Sequence, residues 1–405
     1  MNEILVHTPE ELTQCCDHLA QGKRFGFDTE FVGEESYHPR LCLVQVATAE
    51  ALYLIDPFSL DSLEPFWNVV VDPANQVIVH AGREEVRLCH IWSGQTPGNL
   101  FDLQIAAGLV GLPYPLGHGP LVHQVLGTKL SKGETLTEWR TRPLTREQIH
   151  YAFDDVRYLL ALWRQLSERL ERHQRTAWAQ EEFARLREQA TPDDEGLSVS
   201  RDKWRKLRGA SSLDRRRLAI LREIFYWREK EAADANRPSR TIVRDDLLVE
   251  ITRRNPKGVK DLQPVRGLAR RYLEAIYAAI ERARSLPAEE CPKMIDRDQE
   301  TPQQGLLVNL LAAHLAHLSE RMELAGNLVA TNLELKMLVR ARILGTPPPV
   351  RSLLRQGWRA KHILPHLQAM LDGRISLRVG DIQKDVPFVF SEEDENNDGS
   401  STNSQ

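Results

Sequence analysis

The sequence predicts an α/β domain at the front of the chain with two all-helical units behind it. Three observations carry this. Short β-like runs at Arg24–Phe31, Leu41–Ala47, Ala51–Ile55 and Val77–His80 alternate with helical patterns such as Glu84–Trp92 and Leu103–Val110. From Trp204 onward apolar residues recur at helical spacing almost throughout. Two polar, proline-containing stretches, Ala190–Ser200 and Ala288–Gln304, divide the chain where the patterns change.

In chain order, the front domain is expected over residues 1–190. It closes on a helix opened by Thr145, which caps the first turn while Gln148, three residues on, completes a capping box. Ile149, Ala152, Val156, Leu159, Leu160 and Trp163 keep helical spacing, and the pattern runs to about Gln189. A linker is expected over 191–210, a helical unit over 211–287, a second linker over 288–304 and a second helical unit over 305–385. Asn236-Arg237-Pro238 and Asn255-Pro256-Lys257-Gly258 punctuate the first unit. The end, 386–405, is low-complexity and acidic and is expected to be disordered.

Composition narrows the function. The 405 residues are 41% hydrophobic and 27% charged, ordinary for a globular protein, and no run of about 18 apolar residues offers a membrane span. The five cysteines are odd in number and scattered, and the start carries neither a basic region nor an apolar core, so a reduced, cytoplasmic setting is expected. The net charge of −4 conceals an asymmetry. Residues 1–200 hold 17 Lys and Arg against 29 Asp and Glu, whereas residues 201–290 hold 23 against 14. A basic middle behind an acidic front suits contact with a polyanion, although Arg-rich helices can equally be solvated faces.

The chemistry is carried by carboxylates. In the strand Phe25-Gly26-Phe27-Asp28-Thr29-Glu30-Phe31, Asp28 and Glu30 share one face and the three phenylalanines the other. Like charges this close resist ionisation, and a divalent cation such as Mg²⁺ or Mn²⁺ relieves them. On the helix opened by Thr145, Tyr151 and Asp155 stand four residues apart on one face. Val77-Ile78-Val79-His80-Ala81-Gly82-Arg83-Glu84-Glu85 runs from an apolar strand into a helix start, where acids are favoured in any case by the helix dipole. Each segment alone also reads as an ordinary amphipathic element. Gly117-His118-Gly119 opens no dinucleotide fingerprint, His80, His90 and His123 lack zinc spacing, and no Ser or Cys nucleophile motif occurs.

Together and in this order the segments resemble the three exonuclease motifs of the DEDD superfamily, in its tyrosine subgroup, and most closely the ribonuclease D family. The likeness continues through Gly98–Ala107, Leu130–Trp139 and Arg142–Thr145 and covers roughly the first 165 residues. Behind them, Leu218, Leu221-Arg222, Trp227-Arg228-Glu229, Asn236-Arg237-Pro238, Val265-Arg266-Gly267, Tyr272 and Ile276 resemble the helicase-and-ribonuclease-D C-terminal (HRDC) domain, and residues 305–378 a weaker second copy.

The resemblance implies a ribonuclease-H-like α/β exonuclease domain followed by HRDC-like bundles. It implies two divalent cations, Mg²⁺ or Mn²⁺, held by Asp28, Glu30, Glu85 and Asp155, with Tyr151 orienting the water. Lys132 and Arg142 become candidate phosphate contacts. The implied activity is 3′→5′ exoribonuclease, releasing nucleoside 5′-monophosphates from RNA with a free 3′ end, tRNA precursors among them. One position departs from the family pattern: Glu85 stands where an aspartate is usual, so its carboxylate sits roughly 1.5 Å further out, and Asp102 is the nearby alternative unless it caps the helix at Leu103. A DNA 3′→5′ exonuclease and a catalytically weak RNA-binding scaffold are the other readings left open.

Overall fold

The computed structural model describes residues 1–130, 138–190, 203–294, 301–383 and 387–392. Its front domain runs β1 (Asn2–Val6), α1 (Pro9–Gly22), β2 (Arg24–Val32), β3 (Arg40–Ala47), β4 (Ala51–Ile55), α2 (Glu64–Val71), β5 (Gln76–Val79), α3 (Arg83–Ser93), β6 (Asn99–Asp102), α4 (Leu103–Leu109) and α5 (His118–Leu126), then α6 (Arg146–Arg157), α7 (Leu159–Arg172) and α8 (Thr176–Ala190). The six strands form one mixed sheet in the order β1-β4-β3-β2-β5-β6. The antiparallel pairs are β2–β3 and β3–β4, and the other three are parallel.

Strand alternation sorts the side chains into two layers. Phe25 and Phe27 of β2, with Val44 and Val46 of β3, pack against α1, α2 and α3. Leu43 and Ala47 of β3 and Leu52 and Leu54 of β4 face the opposite layer, built from α4 to α8. The register shifts between Glu30 and Phe31, which pair with Leu43 and Leu41 and so skip Cys42. This bulge puts the neighbours Cys42 and Leu43 in the same layer.

The capping box of Thr145 and Gln148 forms as the sequence predicts. The long helix beyond it does not run unbroken to Gln189: it breaks at Tyr158 and again at 173–175, where Gln174 has φ 56. The broken helix wraps the sheet instead of leaving it.

The middle unit comprises α9 (Arg215–Asp234), α10 (Ser239–Ile242), α11 (Asp245–Arg254) and α12 (Leu273–Ser285), with its own core. The last unit comprises α13 (Pro302–Arg321), α14 (Gly326–Val329), α15 (Asn332–Ile343), α16 (Gly357–His362) and α17 (Leu364–Leu371), and then the hairpin β7 (Ile375–Val379) and β8 (Phe388–Glu392). Both units follow a 20-residue helix with a four-residue helix and then a medium helix, which is the repeat the sequence suggests.

Three expected boundaries need correction. The stretch 191–210 is not all linker: Trp204 and Ala210 are buried in the middle unit's core, because the bundle needs an apolar cap below α9. The stretch 288–304 likewise gives Cys291 to that core, and its Pro302 opens α13. In the stretch 386–405, Phe388–Glu392 is a strand, paired with β7 by the alternating apolar residues Phe388 and Phe390.

The last unit does not stand apart. Leu311, Leu315, Leu328, Trp358 and Leu367 share one continuous core with Leu109, Leu162, Leu166 and Phe183 of the front domain. Trp178 of α8 stacks on Trp358 at 4.7 Å and 7°. Glu182 forms a buried ion pair with Arg359 and accepts a hydrogen bond from Trp358 Nε1 at 2.9 Å. Arg175 donates to Leu109 O at 2.6 Å and Glu323 O at 2.7 Å. Among the described residues no helix is long and apolar enough to cross a membrane, and all five cysteines are buried free thiols.

Candidate active site

The site forms where β2 outruns its neighbour. β5 pairs with β2 only from Arg24 to Gly26 and ends at Val79. The chain then turns through His80, Ala81 (φ 55) and Gly82 into α3. Beyond Gly26, β2 therefore faces the first turn of α3 instead of another strand. Asp102 fixes that turn, because one carboxylate oxygen accepts from Gly82 N at 2.8 Å and the other caps α4 through Ile105 N at 2.9 Å. The alternative ligand is thus a helix cap and a brace, as its position before Leu103 suggests.

Glu85, on the first turn of α3, is buried, while Glu84 pairs with Arg87 at 2.8 Å. Glu85 accepts the hydroxyl of Thr29 at 2.9 Å, and Asp28 accepts the N–H of Thr29 at 2.9 Å. Thr29 therefore ties the two acidic segments together, a role the sequence reading missed. Its only signal was a hydroxyl between two acids on the face otherwise given to phenylalanine.

On the other side, α7 presses onto β2 at Gly26, where an added Cβ would lie 2.8 Å from Leu159. This close approach sets α6, one turn earlier, across the carboxylate face of β2. Tyr151 and Asp155 then meet Asp28 and Glu30, and Asp155 hydrogen-bonds Tyr151. Gly26→Ala is expected to push α6 and α7 off the strand. It should cost about 1–3 kcal/mol, read by chemical denaturation, and should lower activity more than the stability loss accounts for.

Electrostatics follow from burial and proximity. Burial, and next the charge of Asp28, pushes Glu30 up to about 8. Burial, then Asp28 and Glu30, pushes Asp155 up to about 8, against the hydrogen bond from Tyr151. Asp28 and Glu85 are likewise raised, chiefly by burial. The Tyr151 phenol is raised by burial and the surrounding acids, so it stays neutral and keeps its proton. Among the described residues no Lys, Arg or His is ion-paired with Asp28, Glu30, Glu85 or Asp155. As placed, no three acidic, His or Cys side chains among the described residues converge on one ligating point.

Of the two basic residues the sequence singled out, Lys132 lies outside the described residues. Arg142 directs its donors at Asp56, Cys42 O, Trp139 O and Thr141 O. That set uses the whole guanidinium fork, so Arg142 braces the segment before α6 against β3 and β4 and has no donor left for a phosphate.

Known proteins resemble the chain over nearly its whole length. The family model described as 3′-5′ exonuclease matches residues 4–171, and that of the HRDC domain matches residues 217–282. Ribonuclease D of Gluconacetobacter diazotrophicus is 34% identical over 385 residues, covering 93% of this chain and 94% of that protein. Ribonuclease D of Granulibacter bethesdensis is 33% identical over 383 residues, with 93% and 94% covered. The crystal structure of Escherichia coli RNase D matches with a TM-score of 0.78 at 27% identity, over 92% of this chain and 99% of that one. Full-length likeness, an exonuclease sheet with its acidic cluster and an HRDC region behind it place the chain in the ribonuclease D family of 3′→5′ exoribonucleases.

Proposed function

We propose that Asp28, Glu30, Glu85 and Asp155 hold two divalent cations, Mg²⁺ or Mn²⁺, and that the protein trims the 3′ ends of structured RNAs, tRNA precursors among them, releasing nucleoside 5′-monophosphates. The observation that carries this reading is a set of four carboxylates from three separate segments. Burial raises all four, charge within the set raises Glu30, Glu85 and Asp155 further, and no basic partner among the described residues offsets them. An all-oxygen, anionic donor set suits hard cations. Bound cations would supply an activated water and charge stabilisation at the scissile phosphate.

The residues divide the remaining work. Asp28 and Glu30 offer carboxylates from a rigid central strand. Glu85 reaches in from α3, held by Thr29. Asp155 closes the set from α6 and orients the Tyr151 hydroxyl. With its one proton directed at Asp155, the neutral phenol can accept from the attacking water through its oxygen.

The relative from Escherichia coli is described as an exoribonuclease involved in structured RNA processing, which supports the substrate class. In the middle unit Arg240, Arg244 and Arg266 line a cleft of about 490 Å³. Arg240 also reaches Glu34 O of the β2–β3 connection, at 3.5 Å. Asp246, paired with Arg244 at 3.2 Å, and Glu250 also line it, so any sequence-independent phosphate contact there falls chiefly to Arg240 and Arg266.

Matched RNA and DNA oligomers with 3′ overhangs, with and without Mg²⁺ or Mn²⁺, test the reading. Ion-dependent release of 5′-monophosphates from RNA is expected. Equal or faster digestion of DNA would make the protein a DNA exonuclease, and binding without hydrolysis a scaffold. Tyr151→Phe is expected to lower kcat by about 10²–10⁴-fold with RNA affinity unchanged, measured by single-turnover kinetics and filter binding.

A further inference from the structure

Gln45 sits in the middle of β3, fully buried, and among the described residues neither its Oε1 nor its Nε2 has a hydrogen-bond partner. A buried carboxamide left unpaired is costly, and native structures rarely keep one without a reason. Its surroundings make the residue type stranger. Along the same face of β3 its neighbours are Leu43 and Ala47, and across to β4 it pairs with Leu54, all in one apolar layer. A Leu or Met at 45 would continue that layer without an orphaned amide.

The exception is on the other side. Across to β2, Gln45 pairs with Asp28. Directly opposed residues of an antiparallel pair share a face, with Cβ atoms roughly 4.5–5.5 Å apart. A glutamine side chain is long enough to reach an aspartate across that gap, although here the two are not hydrogen-bonded. α6, which carries Tyr151 and Asp155, lies across β2, β3 and β4 and seals Gln45 from solvent. The carboxamide is therefore shut in beneath the site with one polar neighbour in its cross-strand row.

We propose that Gln45 is a positioning residue whose carboxamide, unpaired here, donates its N–H to the Asp28 carboxylate once a cation is bound and so fixes the orientation in which Asp28 holds it. The proposal rests on Asp28 being a ligand, as read above. Gln45 touches neither RNA nor the reacting atoms, and it acts only through Asp28. An amide suits the task because it donates without adding charge to a crowded anionic site, and residues of this kind behind ligands fix both geometry and affinity.

The test uses the full chain with Gln45→Met, close in volume and apolar, and Gln45→Leu. Melting temperature is measured without metal and along a Mn²⁺ titration, and kcat and KM on a 3′-overhanging RNA. Both variants are expected to melt at or above the wild-type temperature without metal, since an unpaired amide has left an apolar layer. The Mn²⁺ concentration giving half the thermal shift should rise on the order of 10–100-fold, and kcat should fall by a similar factor with KM unchanged. A folded variant with wild-type kcat and a wild-type Mn²⁺ midpoint overturns the proposal. Should neither apolar variant fold, Gln45→Ala, which removes the amide without adding bulk, is titrated instead, and an unmoved midpoint overturns it equally. Asp28→Asn runs alongside. If it keeps wild-type activity, the site reading itself fails, whereas an inactive Asp28→Asn beside a wild-type Gln45→Met removes the positioning role alone.

Discussion

Asp28→Asn is expected to lower the rate of 3′-end hydrolysis by about 10³-fold or more, the several kcal/mol a cation site supplies to such a transition state. The fold should survive, and without metal it should improve. Glu30 and Asp155 are both raised to about 8, with the Asp28 charge the second cause after burial in each. A carboxylate raised in the folded state stabilises the fold while protonated. That contribution is complete below the ordinary carboxylate range near pH 4 and is lost as pH rises toward about 8. Chelator-treated wild type should therefore melt progressively lower from pH 5 to pH 9, and Asp28→Asn should fall less steeply. Added Mg²⁺ or Mn²⁺ should raise the wild-type melting temperature most at the alkaline end and leave the variant unmoved. Glu85→Gln should behave as Asp28→Asn does, and Glu84→Gln, a half-exposed partner of Arg87, should be silent. A flat pH profile for chelated wild type, or an active Asp28→Asn, would show that the four acids do not form one site.

Removing the last unit is expected to damage the exonuclease domain itself, not merely its hold on RNA. A chain ending after Gln189 loses apolar partners of Leu109, Leu162, Leu166, Phe183 and Trp178, and takes Arg359 and Trp358 from Glu182 and the Glu323 carbonyl from Arg175. Such a chain should be insoluble or melt far below the full protein, by differential scanning calorimetry. The point variant Trp358→Ala should cost about 3–5 kcal/mol in the transition that also unfolds the sheet. Glu182→Ala, which strands the buried Arg359, should cost a similar 3–5 kcal/mol or so. If the truncated chain stays soluble, folded and active on short RNA, the shared core contributes little and the last unit is an independent module after all.

The middle unit behaves differently. It has a separate core, and to the front domain it offers hydrogen bonds from His38 N to Asn236 and from Arg240 to Glu34 O. The two repeats thus share a succession of helices but not a relation to the catalytic domain.

The sequence alone determined the elements and the candidate chemistry. Alternation fixed which face of β2 carries Asp28 and Glu30, helical spacing put Tyr151 and Asp155 on one face, and the capping box of Thr145 marked where that helix starts. These are local properties, set by backbone geometry over a few residues, and motif order tied them to one family. It did not reveal β1 or β6, short strands with weak alternation that exist because parallel neighbours pair with them.

Only the tertiary structure decided how the acids meet. Gly26 admits Leu159, and that contact sets α6 over the strand. Thr29 and Asp102 hold Glu85 and its turn through partners 56 and 20 residues away. Arg142, a free cation by sequence, is claimed by Asp56 from 86 residues away. Nothing in the pattern of the last 100 residues said that they would complete the core of the first 190. An apolar helix face records that it must be buried, not against what, because burial is non-directional and the choice of partner is made by the whole fold.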